Sequence, residues 1–170
     1  GITGAITVHP LADWRAFDGY RAPDPDIDYG WGPIDWAAER ERLRRAPSED
    51  RLASGGLRDG HTFMTLAYIR GYENLIYDMA DGDPRLWRLI AMVEAFNLAI
   101  VSRYVELGAE WISYPEDLGM QRGPMLSPAQ FRTYIQPSYR RLMAPARKAG
   151  CIVHMHSDGD IRALVSDLIE

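Results

Sequence analysis

Apolar and polar positions recur with two periods along the second half of the chain. Thr62 to Ile69 (TFMTLAYI) is a short apolar run rich in strand formers and predicts a strand. Helical patterning follows over Tyr72 to Met79. A longer helix is predicted over Pro84 to Leu107, with Asp83 as N-cap, Pro84 in the first turn and Gly108 just past its end. Glu110 to Tyr114 (EWISY) predicts a second strand, and Gly119 to Leu126 a turn-rich loop. Ser127-Pro128 then opens a helix to about Ala149, with a kink or break expected from Pro137 and Pro145. Cys151 to His156 reads as a third strand and Asp160 to Ile169 as the next helix.

Strand, helix, strand, helix is the order of a parallel α/β architecture. With strand starts at 62, 109 and 151, each unit is long. A closed barrel of eight such units needs on the order of 300 residues. The chain has 170 residues, begins without Met and stops inside an element. The chain holds about half of that length and is therefore expected to be a fragment of a longer protein. An open part-barrel exposes strand edges and apolar surface, so self-association into a homo-oligomer is expected. The first sixty residues are less regular. Gly1 to His9 reads as a strand, Pro10 to Phe17 as a short helix and Arg21 to Gly32 (RAPDPDIDYGWG) as loop. Pro33 to Ala46 reads as a charged amphipathic helix with a solvated face, and Ser48 to Gly60 again as loop.

Composition narrows the function classes. Nineteen basic residues against 24 acidic ones give a net charge of -5, which argues against a nucleic-acid partner or an anionic membrane surface. The longest apolar-rich stretch, Leu86 to Leu107, is interrupted by Arg88, Glu94, Asn97 and Arg103, so no membrane span is expected. Cys151 is the single cysteine; it excludes an internal disulfide framework and suits a reducing, cytoplasmic setting. At the start of its strand it reads as a small hydrophobe, not a ligand.

The chemistry concentrates at the third strand. Side chains alternate faces with period two, so His154, His156 and Asp158 share one face at the C-terminal end, where parallel α/β enzymes place their sites. Two imidazoles and a carboxylate there form a metal-ligand or proton-transfer set; the plainer alternative is a polar strand end satisfied by its neighbours. The second strand runs into Glu116 and Asp117, of which alternation turns only one inward. Gln121 and Arg122 hang over the same mouth as candidate contacts to an anionic or amide-bearing small-molecule substrate, or are simply exposed. Tyr68 and Arg70 close the Thr62 strand at the substrate end, and His61 lies at its opposite, stability end. No phosphate-binding glycine loop and no GxSxG elbow is present.

Several motifs together resemble the uroporphyrinogen decarboxylase superfamily. They are Asp117 to Pro128 (DLGMQRGPMLSP), Phe131, Ile135 to Pro137 (IQP), Gly150, His156 to Gly159 (HSDG) and Leu168 to Glu170 (LIE). Upstream, His9 to Trp14 (HPLADW), Tyr20 to Pro25 (YRAPDP) and Gly71 to Leu75 (GYENL) fit as well. The resemblance implies a (β/α)8 TIM barrel, of which residues 1–170 are about half, a fragment of one domain with an N-terminal segment and the last strands absent, and it implies one of two chemistries. One is methyl transfer between a corrinoid protein and a thiol-type acceptor, with zinc activating the thiol. The other is decarboxylation of porphyrinogen acetate groups in tetrapyrrole synthesis, which needs no cofactor. In the methyltransferase branch a strand ends in a His-x-Cys pair; His156 and Asp158 stand at the matching positions, so a harder oxygen donor replaces a thiolate. His154 is a substitute ligand on the same face. Where decarboxylases resemble one another in a Phe-Asp-Ser-Trp-type strand end, this chain reads Tyr114 to Asp117 (YPED). The resemblance thus implies a metal-assisted methyltransferase, with His156 and Asp158 holding the metal and Asp117, or Glu116 in the other register, as acid/base or supporting carboxylate. The alternative is a decarboxylase in which Asp117 binds pyrrole N–H groups and Arg122 binds substrate carboxylates. A third reading is a non-catalytic barrel remnant.

Overall fold

The computed structural model describes residues 6–169. After a 3-10 turn at Trp14–Gly19, the chain forms α1 (Trp36–Arg45), β1 (Ser54–Gly56), α2 (Phe63–Arg70), α3 (Tyr72–Asp81), α4 (Pro84–Glu106) and β2 (Trp111–Pro115). A hairpin of β3 (Gly119–Met120) and β4 (Gly123–Pro124) comes next. Then follow α5 (Pro128–Gln130), a π-helical turn at Phe131–Ile135, α6 (Gln136–Lys148), β5 (Ile152–His156) and α7 (Val165–Leu168).

β2 lies between β1 and β5, parallel to both. The register pairs Gly56 with Ser113 and Pro115 with His156, so all three strands point toward one edge. Beyond β1 the chain stays on that edge, with Leu57 N–H on the Ser113 carbonyl and Gly60 N–H on that of Pro115. Ile112 and Tyr114 of β2 are buried on the helical side, where the Tyr114 hydroxyl donates to the Leu142 carbonyl of α6 at 3.2 Å. On β5, Val153 and Met155 pack against the same core, while Ile152, His154 and His156 face away from it and are exposed. One face of the sheet is thus covered by helices, and the other carries the polar strand-end residues.

The helices follow local rules. Asp83 caps α4 by accepting the Arg85 N–H, Pro84 occupies the first turn, and Leu86, Leu89, Ile90, Val93, Ile100 and Val101 form its buried stripe. Ser127 and Gln130 close a reciprocal capping box at α5. Pro137 does not break the helix that follows. Proline has no N–H to continue the ladder, and the turn before it widens to π geometry, with Gln136 N–H reaching the Phe131 carbonyl. Pro145 lies within α6, which continues to Lys148.

Four expectations are corrected. Thr62 to Ile69 is not a strand but, from Phe63 on, helix α2. A short apolar run suits either state, and here the Glu116 carboxylate decides. Its Oε2 accepts the N–H groups of Thr62 and Phe63 at 2.9 and 2.8 Å, and its Oε1 accepts that of Met64 at 3.0 Å. These are donors that a helix start leaves without intrahelical partners. Second, the first strand lies in the expected Ser48–Gly60 loop, at Ser54–Gly56. A Cβ on Gly55 would fall onto the Tyr104 ring of α4, so the strand fits against its helix only with glycine at that position. Third, of the expected N-terminal strand, residues 1–5 lie outside the described residues and 6–9 form none; the helix expected from Pro10 is the 3-10 turn. Fourth, the expected Asp160–Ile169 helix is a 3-10 turn at Arg162–Leu164 running into the four-residue α7.

Arg70 is also reassigned. It sits 4.5 Å over the Trp14 ring, pairs with buried Asp78 at 2.7 Å and donates to the Leu11 carbonyl at 2.8 Å. Its guanidinium therefore ties the N-terminal segment to α2 and α3 instead of meeting substrate.

Burial pushes Glu116 up to about 7, against the downward pull of the three amides and the Tyr139 hydroxyl. Between its ordinary 4.5 and 7 the folded protein keeps a proton that the unfolded chain has released, so this group lowers stability as pH rises through that window. In denaturant unfolding, wild-type stability relative to Glu116→Gln should fall by about 3 kcal/mol from pH 4.5 to pH 7. A difference that stays constant across this range would refute the shift. Gly55→Ala should destabilise by about 1–3 kcal/mol through overpacking against Tyr104, and an unchanged unfolding midpoint would contradict the close approach.

Candidate metal and substrate site

The two adjacent acids after β2 take opposite directions. Glu116 turns back into the core, where both its oxygens are engaged by the α2 amides and by the Tyr139 hydroxyl at 2.9 Å. As an acid/base group at the mouth it is thereby corrected: it is a buried helix cap. Asp117 faces the open edge. Its Oδ1 accepts the backbone N–H of Asp158 at 2.9 Å and lies 4.0 Å from His156 Nε2. Asp158 Oδ1 lies 3.5 Å from the same nitrogen. The three side chains, 37%, 51% and 79% exposed for Asp117, His156 and Asp158, each offer a donor atom, and all the donors lie within 4.8 Å of one another.

The neighbouring backbone holds this geometry. Leu118 N–H donates to Ser157 Oγ at 3.0 Å, and Asp160 N–H to the Met120 carbonyl at 2.8 Å, which seats the β3–β4 hairpin on the Asp158–Asp160 turn. Gly119 and Gly159 meet there with no room for a Cβ on either, and Gly159 has a φ of 79°. Asp160 is engaged separately: its ion pair with Arg162 lowers its pKa to about 2.

Around a divalent ion with bonds of about 2.0–2.2 Å, tetrahedral ligand atoms lie roughly 3.3–3.6 Å apart. The donors at 3.5 and 4.0 Å reach that spacing with small side-chain shifts, so the residues fit such an ion. One imidazole and two carboxylates form a harder set than one containing a thiolate, and suit zinc or a harder divalent metal. His154 is not brought to this cluster. Two residues earlier on β5, its ring stacks on Trp111 at 4.9 Å and its Nδ1 lies 3.2 Å from Ser113 Oγ. Gln121 and Arg122 are the exposed tip of the β3–β4 hairpin.

A cleft of about 680 Å³ is lined among others by His9, Trp31, Asp59, Tyr68, Tyr72 and Met125. Tyr68 projects into it from α2, not from a strand end. Burial chiefly, then the carboxylates of Asp59, Asp117 and Glu116, raise its hydroxyl pKa. The Tyr72 hydroxyl donates to the Met125 carbonyl at 2.5 Å, and His9 Nδ1 lies 2.8 Å from the Tyr68 carbonyl.

Sequence reasoning passed over Arg58 and Asp59, and it set His61 at the stability end of a strand. Once β1 is placed at Ser54–Gly56, all three follow its C-terminal end. His61 is fully buried, 2.6 Å from Thr62 Oγ1 and 3.9 Å from Glu116, and burial and then Arg58 lower its pKa to about 3, keeping it neutral. Burial also pulls the Arg58 guanidinium down. The available signal was the polar run RDGH between a glycine pair and an apolar run. Cys151 is half-buried, with its thiol on the Ala109 carbonyl at 3.0 Å.

No helix among the described residues is long and apolar enough to cross a membrane. No curated protein matches the chain's sequence. Among solved structures it is similar to a methyltransferase from Methanosarcina mazei, at 17% identity and a TM-score of 0.58. That match covers 79% of this chain but only 39% of the other, so the chain spans about two fifths of that protein's length. At this identity the likeness concerns the fold. The three parallel strands and their covering helices are a segment of (β/α)8 barrel wall, with the acid and histidine cluster at its C-terminal edge. The sequence profile of the uroporphyrinogen decarboxylase (URO-D) family matches residues 8–170, and the chain belongs to that family.

Proposed function

We propose that Asp117, His156 and Asp158 hold a divalent metal ion, zinc in the first instance, and that the barrel carries out metal-assisted methyl transfer between a corrinoid protein and a thiol-type acceptor. The observation that carries this reading is the convergence of three donor atoms at the strand ends, where barrel enzymes place their chemistry. When bound, the ion would lower the pKa of a coordinated thiol and keep it as the nucleophilic thiolate at neutral pH. The chain's own residues supply the rest. The Asp158 amide orients Asp117, the hairpin and the Gly119–Gly159 contact fix the turn, and His156 projects from the last position of a hydrogen-bonded strand. Tyr68 lines the cleft in which a small-molecule substrate would lie. The alternative within the family is decarboxylation of a porphyrinogen without a metal, with Asp117 binding pyrrole N–H groups and the exposed Arg122 binding carboxylates.

Elemental analysis of the purified protein decides between them. Near-stoichiometric zinc or another divalent metal is expected, and it should disappear in the double substitution His156→Ala, Asp158→Ala. Both side chains are half or more exposed, so with metal removed from both proteins the double variant should match wild-type stability within about 0.5 kcal/mol. Wild-type protein that takes up no divalent metal, even after dialysis against zinc, would overturn the metal-based mechanism and favour the decarboxylase reading.

A further inference from the structure

The cleft lined by His9, Trp31, Asp59, Tyr68, Tyr72 and Met125 has a chemistry of its own. Three aromatic residues, Trp31, Tyr68 and Tyr72, share its wall with a carboxylate, Asp59. Trp31 is 59% exposed, an unusual position for a large apolar ring. Tyr72 has its hydroxyl committed to the Met125 carbonyl, so it offers the cleft its ring and not a polar tip. Asp59 Oδ1 is buried and accepts no hydrogen bond among the described residues. A buried carboxylate oxygen left without a partner is costly, and a cation relieves that cost. The local potential has the matching sign, since the carboxylates of Asp59, Asp117 and Glu116 all raise the Tyr68 pKa, with Arg58 the one opposing charge.

These features discriminate among ligands. An anion would meet Asp59 with like charge. A neutral apolar molecule would fill the cleft but leave the carboxylate oxygen uncompensated. A primary ammonium brings three N–H donors, and the aromatic faces accept none of them well. A methylated ammonium carries its charge on methyl groups, which lie comfortably against ring faces, and a carboxylate balances the charge. We propose that the cleft formed by Trp31, Tyr68, Tyr72 and Asp59 is a binding site for a methylated ammonium ion, its positive end directed at Asp59. The inference concerns binding alone and does not depend on a metal at Asp117, His156 and Asp158.

Calorimetric titration of EDTA-treated protein tests it, with choline compared against its neutral isostere 3,3-dimethylbutan-1-ol. Choline should bind at least about tenfold more tightly than the alcohol. Asp59→Asn should abolish this preference, bringing the two ligands within about twofold. Because Asp59 is partly buried, Trp31→Ala provides a second variant at an exposed position; it should weaken choline about fivefold with no change in the unfolding midpoint. Equal affinity for choline and the alcohol, a preference that survives Asp59→Asn, or no choline binding at millimolar concentration would each overturn the proposal. Because the metal has been removed, none of these results bears on the metal-based reading.

Discussion

The contact between the Glu116 carboxylate and the first turn of α2 ties the end of the central strand to a helix more than fifty residues earlier in the chain. A carboxylate at a helix N-terminus meets unpaired N–H groups and the positive end of the helix dipole together. Here it also receives a phenol from α6, so one side chain joins β2, α2 and α6. The geometry of the mouth follows from this junction. It directs α2 away from the strand edge, turns Tyr68 toward the cleft, and leaves Asp117 as the acid facing outward. Its neighbour His61 is kept neutral by the same burial, so the junction holds one titratable imidazole without a second charge.

Around that junction, charged groups are divided between holding the fold and offering chemistry. Arg70 and Asp78 are paired within the interior and clasp the N-terminal segment, Arg70 meeting the Leu11 carbonyl and the Trp14 ring. This clasp keeps His9 against the Tyr68 carbonyl and so helps shape one wall of the cleft. Asp117, His156 and Asp158, by contrast, share a single backbone hydrogen bond and are open to solvent, as groups must be if they are to exchange a ligand.

Much of this was legible in the chain alone. The boundaries of α4 came from Asp83, Pro84 and Gly108, and Ser127-Pro128 marked the next helix start, because caps are local chemistry written over four or five residues. The strands at Trp111–Pro115 and Ile152–His156 alternate plainly enough to show their faces, and their polar ends pointed to Asp117, His156 and Asp158. The family motifs pointed to the same stretch.

What the tertiary structure decided were the features whose determinants lie far off in sequence. TFMTLAYI suits a strand as well as a helix, and a carboxylate at position 116 makes it a helix. Ser54–Gly56 carries almost no strand preference of its own and is drawn into the sheet because only glycine fits under Tyr104. Moving the first strand to its true place reversed the apparent end of His61 and put Asp59 on the cleft. Likewise alternation put His154 on the right face, but stacking on Trp111 and its position lower on the strand kept it from the cluster. Periodicity and capping are properties of neighbouring residues and can be read in sequence; which of two adjacent acids is buried, and which ring meets which glycine, depends on packing between elements that only the folded chain brings together.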